Sequence, residues 1–315
     1  MIISASRRTD IPTYYSEWFY NRINEGFVCV RNPMNIHQVS RISLKPDVVD
    51  GIVFWTKNPR PMMARLDELK DYMYYFQFTV NPYSTDIEQN IPSKSKEIIP
   101  AFHELSKKIG SKRVIWRYDP IFFTPKYNME YHVKYFAKLA EMLSGYTDKC
   151  IISFLDLYRN TQNNTKGLGL LEITKHNMIE IAQRFSEIAH RHKMAIESCS
   201  EEIDLSQYGI IHGHCIDCNL FEYLLGCPLD LAKDNNQRLE CGCIASIDIG
   251  MYNTCKNHCL YCYANYSQNA VEKNYCFHNP NSQLISGEIT PEDMIYDRKV
   301  LSCKKCQLNL FDSTY

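Results

Sequence analysis

No stretch of the 315-residue sequence approaches the roughly 18 consecutive apolar residues of a membrane-spanning helix, which excludes a helical membrane protein. Charge of one sign is lacking too: 35 Lys and Arg against 36 Asp and Glu leave a formal net charge of -1. A chain-wide basic field that would hold nucleic acid without sequence preference is therefore excluded. The opening Met1-Ile2-Ile3-Ser4-Ala5-Ser6-Arg7-Arg8 places its charges after a short apolar stretch, the reverse of a secretory signal. Internal repeats and low-complexity tracts are absent. The expectation is a soluble, cytoplasmic protein without a membrane partner.

In a reducing compartment the 14 cysteines are not a disulfide framework, and a chain of this length needs no such staples. Metal binding or catalysis is the better reading. Cys29 and Cys150 stand alone in apolar, strand-like runs and read as small buried hydrophobes. The other twelve lie between Cys199 and Cys306, a clustering that packing does not require.

Strand-like runs at 2–6, 51–56, 74–80, 113–117, 150–155 and 195–199 alternate with helical stretches at 14–24, 61–70, 95–109, 129–143 and 174–191. Segments 27–30 and 39–44 read as a hairpin inserted before the second of these strands. The alternation predicts an α/β fold with a parallel sheet, an open doubly wound sheet or a barrel. Polar residues gather where strands hand over to loops: Arg7 and Arg8, Lys57 and Asn58, Asn81, Arg117 with Asp119, and Asp156. That edge carries the active site of parallel α/β folds, although loops are polar in any case. After Cys199 the rhythm breaks, and a seventh strand-like run at 245–250 leads into the densest cysteine motif. Residues 263–315, rich in Asn, Ser and Pro, are expected to wrap the surface.

That motif, Tyr252-Asn253-Thr254-Cys255-Lys256-Asn257-His258-Cys259-Leu260-Tyr261-Cys262-Tyr263-Ala264-Asn265, spaces its cysteines C-x-x-x-C-x-x-C. Three thiolates can hold three irons of a [4Fe–4S] cubane and leave the fourth without a protein ligand. Two competing readings exist. Spacing i, i+4, i+7 suits one helix face, but Lys256, Asn257 and His258 make a poor helix entry. A zinc site completed by His258 or a remote cysteine is the other.

The spacing, with the aromatic Tyr261 before the last cysteine, resembles the cluster loop of the radical S-adenosylmethionine superfamily. Cys259-Leu260-Tyr261-Cys262-Tyr263-Ala264 is similar to its spore-photoproduct-lyase-like branch, as are Ile52-Val53-Phe54-Trp55-Thr56-Lys57-Asn58 and Arg117-Tyr118-Asp119-Pro120. The whole chain, from Ile2-Ile3-Ser4-Ala5-Ser6-Arg7-Arg8-Thr9-Asp10 to the cysteine motif, resembles the domain-of-unknown-function family eighteen-forty-eight. The resemblance implies a [4Fe–4S] cluster on Cys255, Cys259 and Cys262 that reductively cleaves S-adenosylmethionine to a 5′-deoxyadenosyl radical. It also implies a flavodoxin or ferredoxin as reducing partner. Superfamily cluster loops follow the first strand, whereas this one comes last. A circular permutation reconciles the two, with 245–250 placed beside 2–6 in a partial or complete parallel (β/α) barrel. The Gly-Gly-Glu segment common in the superfamily is replaced by Ser4-Ala5-Ser6-Arg7-Arg8. Three regions follow: residues 1–199 as the main barrel, 200–243 as a cysteine-rich insertion, and 244–315 as permuted strand, cluster loop and wrap.

For a second metal site, iron–sulfur or zinc, the resemblance favours Cys199, Cys215, Cys241 and Cys243. By spacing alone Cys215 and Cys218 are an equal pair, with Cys227, His212 and His214 nearby. Cys199 ends one strand while Cys243 precedes another, roughly six residues of about 3.3 Å apart, so the loop must bend back or this set is wrong. Cys303 and Cys306 form a further pair by spacing. Arg117, Asp119 and Lys57 are the candidate catalytic residues, and Tyr261, Asn58 and Arg8 the candidate contacts to the cofactor. Arg7, Arg8 and Asp10 are expected to face one cavity with Lys57, Asn58, Arg117 and Asp119. Three arginines and a lysine with few opposing carboxylates favour an anionic substrate, small or macromolecular. Structural ion pairs Arg117–Asp119 and Arg7–Asp10 are the competing reading. The relation to spore photoproduct lyase leaves a nucleic-acid lesion open as substrate, against which the neutral charge argues mildly. The alternative function is a zinc-stapled α/β binding protein without radical chemistry.

Overall fold

The computed structural model describes residues 1–305. Eleven strands occur among them, in chain order β1 (Ile2–Ala5), β2 (Phe27–Asn32), β3 (Asn35–Ser43), β4 (Gly51–Thr56), β5 (Tyr74–Thr79), β6 (Val114–Ile121), β7 (Lys149–Phe154), β8 (Ala195–Ser198), β9 (Ile210–His212), β10 (Ile247–Asp248) and β11 (Met294–Asp297). Eight form one all-parallel sheet in the order β10-β1-β4-β5-β6-β7-β8-β9. The chain is an α/β protein built as a partial parallel (β/α) barrel. Among the described residues no ladder joins β9 to β10. The strand before the cysteine motif does lie beside the first strand, with Ile247 opposite Ile3 and Asp248 opposite Ser4, as a permuted barrel requires.

Strand side chains alternate strictly between two cores. Ile3, Ile52, Phe54, Phe76, Phe78, Trp116 and Ile152 join the large core under the helices. Ile2, Val53, Tyr75, Ile115 and Ile151 point the other way and meet Cys215, Ile216, Phe221, Cys241, Cys243 and Ile244. Both faces of a parallel sheet must be buried, and here the cysteine-rich segment covers the inner face. Its helix Cys218–Leu225 starts at Asp217, whose carboxylate caps Leu220 N at 3.2 Å, and stops at Gly226 in the left-handed conformation. The helix crosses the N-terminal ends of the strands. Phe221 packs so closely on Gly51 that a Cβ there would lie 2.1 Å from the ring, and Asp217 meets Lys149 at 3.2 Å.

Helix Met129–Leu143 has the predicted bounds, and Lys175–Arg191 begins one residue after its capping Thr174. Expected helix 14–24 instead breaks at Tyr15 into Ile11–Tyr14 and Ser16–Glu25. The Tyr15 hydroxyl at that break donates to Thr254 O at 2.6 Å, in the cysteine loop. Expected helix 61–70 is a turn Arg60–Met63 followed by a 3₁₀ turn Leu66–Leu69; burial of Met62, Leu66 and Leu69 is achieved without a continuous helix. The hairpin β2–β3 is present, but it belongs to a separate three-stranded sheet closed by β11. Strand β9, too short to read from three residues, adds the eighth member of the barrel sheet. The segment after the motif wraps back as expected. Trp18 Nε1 donates to Ser282 O at 3.0 Å and Leu284 is buried. Cys306 lies outside the described residues. No described helix is long and apolar enough to cross a membrane.

Candidate functional site

The three motif cysteines lie on a loop, not on a helix face. Asn253 and His258 take left-handed φ values of 55° and 48°, which no α-helix accommodates. The loop is fastened from several sides. Cys259 pairs with Glu88 as an isolated antiparallel bridge, and Leu260 N donates to Ile87 O at 3.0 Å. Asn257 Nδ2 donates to Asp10 at 3.0 Å, Tyr14 donates to Asn257 Oδ1 at 2.9 Å, and Asn265 Nδ2 donates to Cys255 O at 2.7 Å.

Glu88 is the anchor that sequence reasoning missed. Its buried carboxylate takes Lys57 at 2.8 Å, Lys94 at 2.7 Å and the Tyr261 hydroxyl. Burial opposes its ionisation, but the two ammonium groups hold the carboxyl down at about 2. Burial likewise pushes the Cys259 thiol up to about 12 against the pull of Lys57. Nothing in the polar stretch Ser84–Gln89 distinguishes Glu88 from a solvated loop acid. Asp248 was more legible, a lone carboxylate in the apolar run 245–250. It accepts from Ser4 Oγ and Ser6 Oγ at 2.7 Å each and from Arg7 N at 2.8 Å, tying β10 to the end of β1.

A cavity of ≈ 640 Å³ opens over the C-terminal ends of the strands. Its walls include Cys255, Cys259, Cys262 and Tyr261 on one side and Cys199, Cys215, Cys241 and Cys243 on another. Arg7, Trp55, Lys57, Arg117 and Asp119 lie between. Both cysteine sets therefore face one space. Arg8, Asp10 and Asn58 do not line it. Arg8 turns to Asp248, 3.3 Å away, and lies over Tyr252. Asp10 caps Thr13 and accepts from Lys57 N at 2.8 Å, so it does not pair with Arg7. Asn58 serves its turn, with Oδ1 accepting from Arg60 N at 3.3 Å. Arg117 and Asp119 form the ion pair, with Nε 3.1 Å from both carboxylate oxygens.

In the second set the chain does bend back. After β9 residues 213–216 run into the barrel, where Cys215 O accepts from Tyr75 at 2.7 Å and Gln77 at 2.9 Å. The incoming strand-like segment lies alongside, Ile244 N bonding Ile216 O at 3.2 Å. Cys215 thus bridges the gap between Cys199, at 3.0 Å, and Cys243, whose Sγ accepts from Ile216 N at 3.3 Å. Arg117 Nη1 donates to Cys215 Sγ at 2.8 Å. A hydrogen bond from Cys243 draws the Cys241 thiol down to about 6, so this set holds an easily ionised sulfur. Cys218 leads the covering helix and does not line the cavity.

Cys255, Cys259 and Cys262 are three thiols on one loop at the wall of a cavity, a donor set that an iron–sulfur cluster would accept. Among the described residues no three His, Cys, Asp or Glu side chains gather as ligands of a single ion. No match is found among curated proteins. The family model described as Domain of unknown function (DUF1848) matches residues 2–264, and the chain, sheet and cysteine loop included, belongs to that family.

Proposed function

We propose that the chain is an iron–sulfur enzyme of the radical S-adenosylmethionine kind. The observation that carries the reading is that the C-x-x-x-C-x-x-C cysteines face the same ≈ 640 Å³ cavity as the strand-end residues Lys57, Arg117 and Asp119. Cys255, Cys259 and Cys262 would hold the cluster. Such a cluster, once reduced, would supply the electron for reductive cleavage of S-adenosylmethionine and so the means of hydrogen abstraction from substrate. The protein's own part is positional. Glu88 ties Lys57 and Tyr261 into one network behind the loop, and Asp10 and Asn257 lock its entry. Arg117 and Asp119 project from β6 toward the space between the two cysteine sets.

Anaerobically reconstituted protein should contain iron and sulfide and, when reduced, convert S-adenosylmethionine to 5′-deoxyadenosine. Cys259→Ala should abolish that conversion. Stoichiometric zinc without iron would sink the proposal. At the second set, where Cys199 and Cys215 lie 3.0 Å apart, the metal would be zinc or an iron–sulfur cluster. Metal analysis of Cys215→Ser separates the two, since it should lose zinc or iron from that set only.

A further inference from the structure

We propose that the cavity takes a substrate bearing a single carboxylate, held by the Arg7 guanidinium. This deepens the enzyme reading, because it names what binds between the two cysteine sets. Four Lys and Arg side chains line the cavity: Arg7, Lys57, Arg117 and Arg238. Three already have a carboxylate partner. Glu88 holds Lys57 at 2.8 Å, Asp119 holds Arg117 at 2.5 Å, and Asp156 holds Arg238 at 2.5 Å.

Arg7 differs. Its Nη2 is buried and has no hydrogen-bond partner among the described residues. A buried guanidinium nitrogen without an acceptor is costly, so such an atom marks a place where an acceptor is missing. Its backbone is pinned at both ends, Arg7 N to Asp248 at 2.8 Å and Arg7 O to the Tyr263 hydroxyl at 2.8 Å. The guanidinium lies over Trp55, 5.3 Å from the ring centroid. The indole limits the movement of the guanidinium. A guanidinium fork matches the two oxygens of a carboxylate.

The charge of the wall selects the anion. Arg7 is the one cation of the wall without a carboxylate in a salt bridge among the described residues, and a monoanion matches it in charge. A dianionic phosphate would leave one charge unpaired in a space also bordered by Asp119, Asp156 and the thiols. Asp248 also lies near Arg7 but is already engaged by Ser4, Ser6 and Arg8; three further competitors remain, the thiolates of Cys243 and Cys215 and the carboxylate of S-adenosylmethionine. The experiment addresses each.

Anaerobically reconstituted full-length protein is titrated with benzoate, benzamide and inorganic phosphate by ligand-observed NMR. Benzoate should bind at least tenfold more tightly than benzamide or phosphate. Arg7→Gln should lose at least tenfold for benzoate and Arg7→Lys less, while Arg238→Gln changes it by less than twofold. Arg7→Gln should keep its iron and its affinity for S-adenosylmethionine. Equal binding of benzoate and benzamide, tighter binding of phosphate, or an unaffected Arg7→Gln overturns the proposal. Loss of iron or of S-adenosylmethionine affinity in Arg7→Gln overturns it as well, by reassigning Arg7 to the metal or cofactor. If Arg7→Gln fails to fold, the comparison of benzoate with benzamide and the Arg7→Lys variant decide. Carboxylate selectivity in a protein containing zinc but no iron would refute the enzyme reading and leave the carboxylate site standing.

Discussion

His132 is fully buried in helix Met129–Leu143, and both its ring nitrogens are committed. Nδ1 is 2.9 Å from the Tyr118 hydroxyl and Nε2 is 3.0 Å from Phe122 O. A neutral ring satisfies both contacts, with the Tyr118 hydroxyl donating to Nδ1 and Nε2 donating to the carbonyl. Burial lowers its pKa from 6.5 to about 4. The native state therefore binds fewer protons than the unfolded chain between those values. The stabilisation is present in full above about 6.5 and is lost as pH falls through about 4, amounting to about 3 kcal/mol. Urea unfolding of wild type and His132→Gln between pH 7 and 4 checks this: the difference between them should shrink steadily toward acid pH. A constant difference would mean that His132 does not titrate in the fold.

The helix Cys218–Leu225 and the strand β10 decide more than their lengths suggest. The helix closes the barrel floor only because Gly51 begins β4 without a side chain, and Phe221 occupies the space where a Cβ would stand. Gly51→Ala would force a buried ring or the strand to move, since the clash is with rigid ring atoms rather than a flexible chain end. We expect a loss of roughly 1–3 kcal/mol in urea-unfolding free energy. The second cysteine set should lose metal affinity more than the first, because Cys215 lies three residues before the helix displaced. Strand β10 has two residues and few ladder bonds, and Asp248 supplies the rest by gathering two serine hydroxyls and the Arg7 amide. That carboxylate also fixes the backbone from which Arg7 reaches the cavity.

At the scale of the whole molecule, two cysteine sets share one cavity but not one support. The loop carrying Cys255, Cys259 and Cys262 rests on Glu88, Asp10 and Tyr15. Cys199, Cys215, Cys241 and Cys243 rest on the inner face of the sheet. The sets should therefore load independently. The triple variant Cys255→Ala, Cys259→Ala, Cys262→Ala should retain metal at the second set, read by elemental analysis of folded protein. If it retains none, the second set is not a metal site in its own right.

The sequence by itself determined the class of fold and the cysteine loop. Alternating strands and helices are local patterns, and a three-thiolate spacing is written in eight consecutive residues. The placement of β10 beside β1 followed from the superfamily resemblance, through the circular permutation it implies, and the ladder is present. Only the tertiary structure decided which charges are free. Arg7, Arg8, Lys57 and Arg117 look alike in sequence, yet partners from distant segments, Glu88 and Asp248, neutralise two of them, and Asp119 neutralises a third. In the sequence the bend that brings Cys243 to Cys215 is only a condition of that ligand set; the hydrogen bonds from Tyr75 and Gln77 to Cys215 O that hold it come from a strand far away along the chain. Spacing records neighbours along the backbone; burial inside a barrel creates neighbours across it, and those set the electrostatics of the cavity.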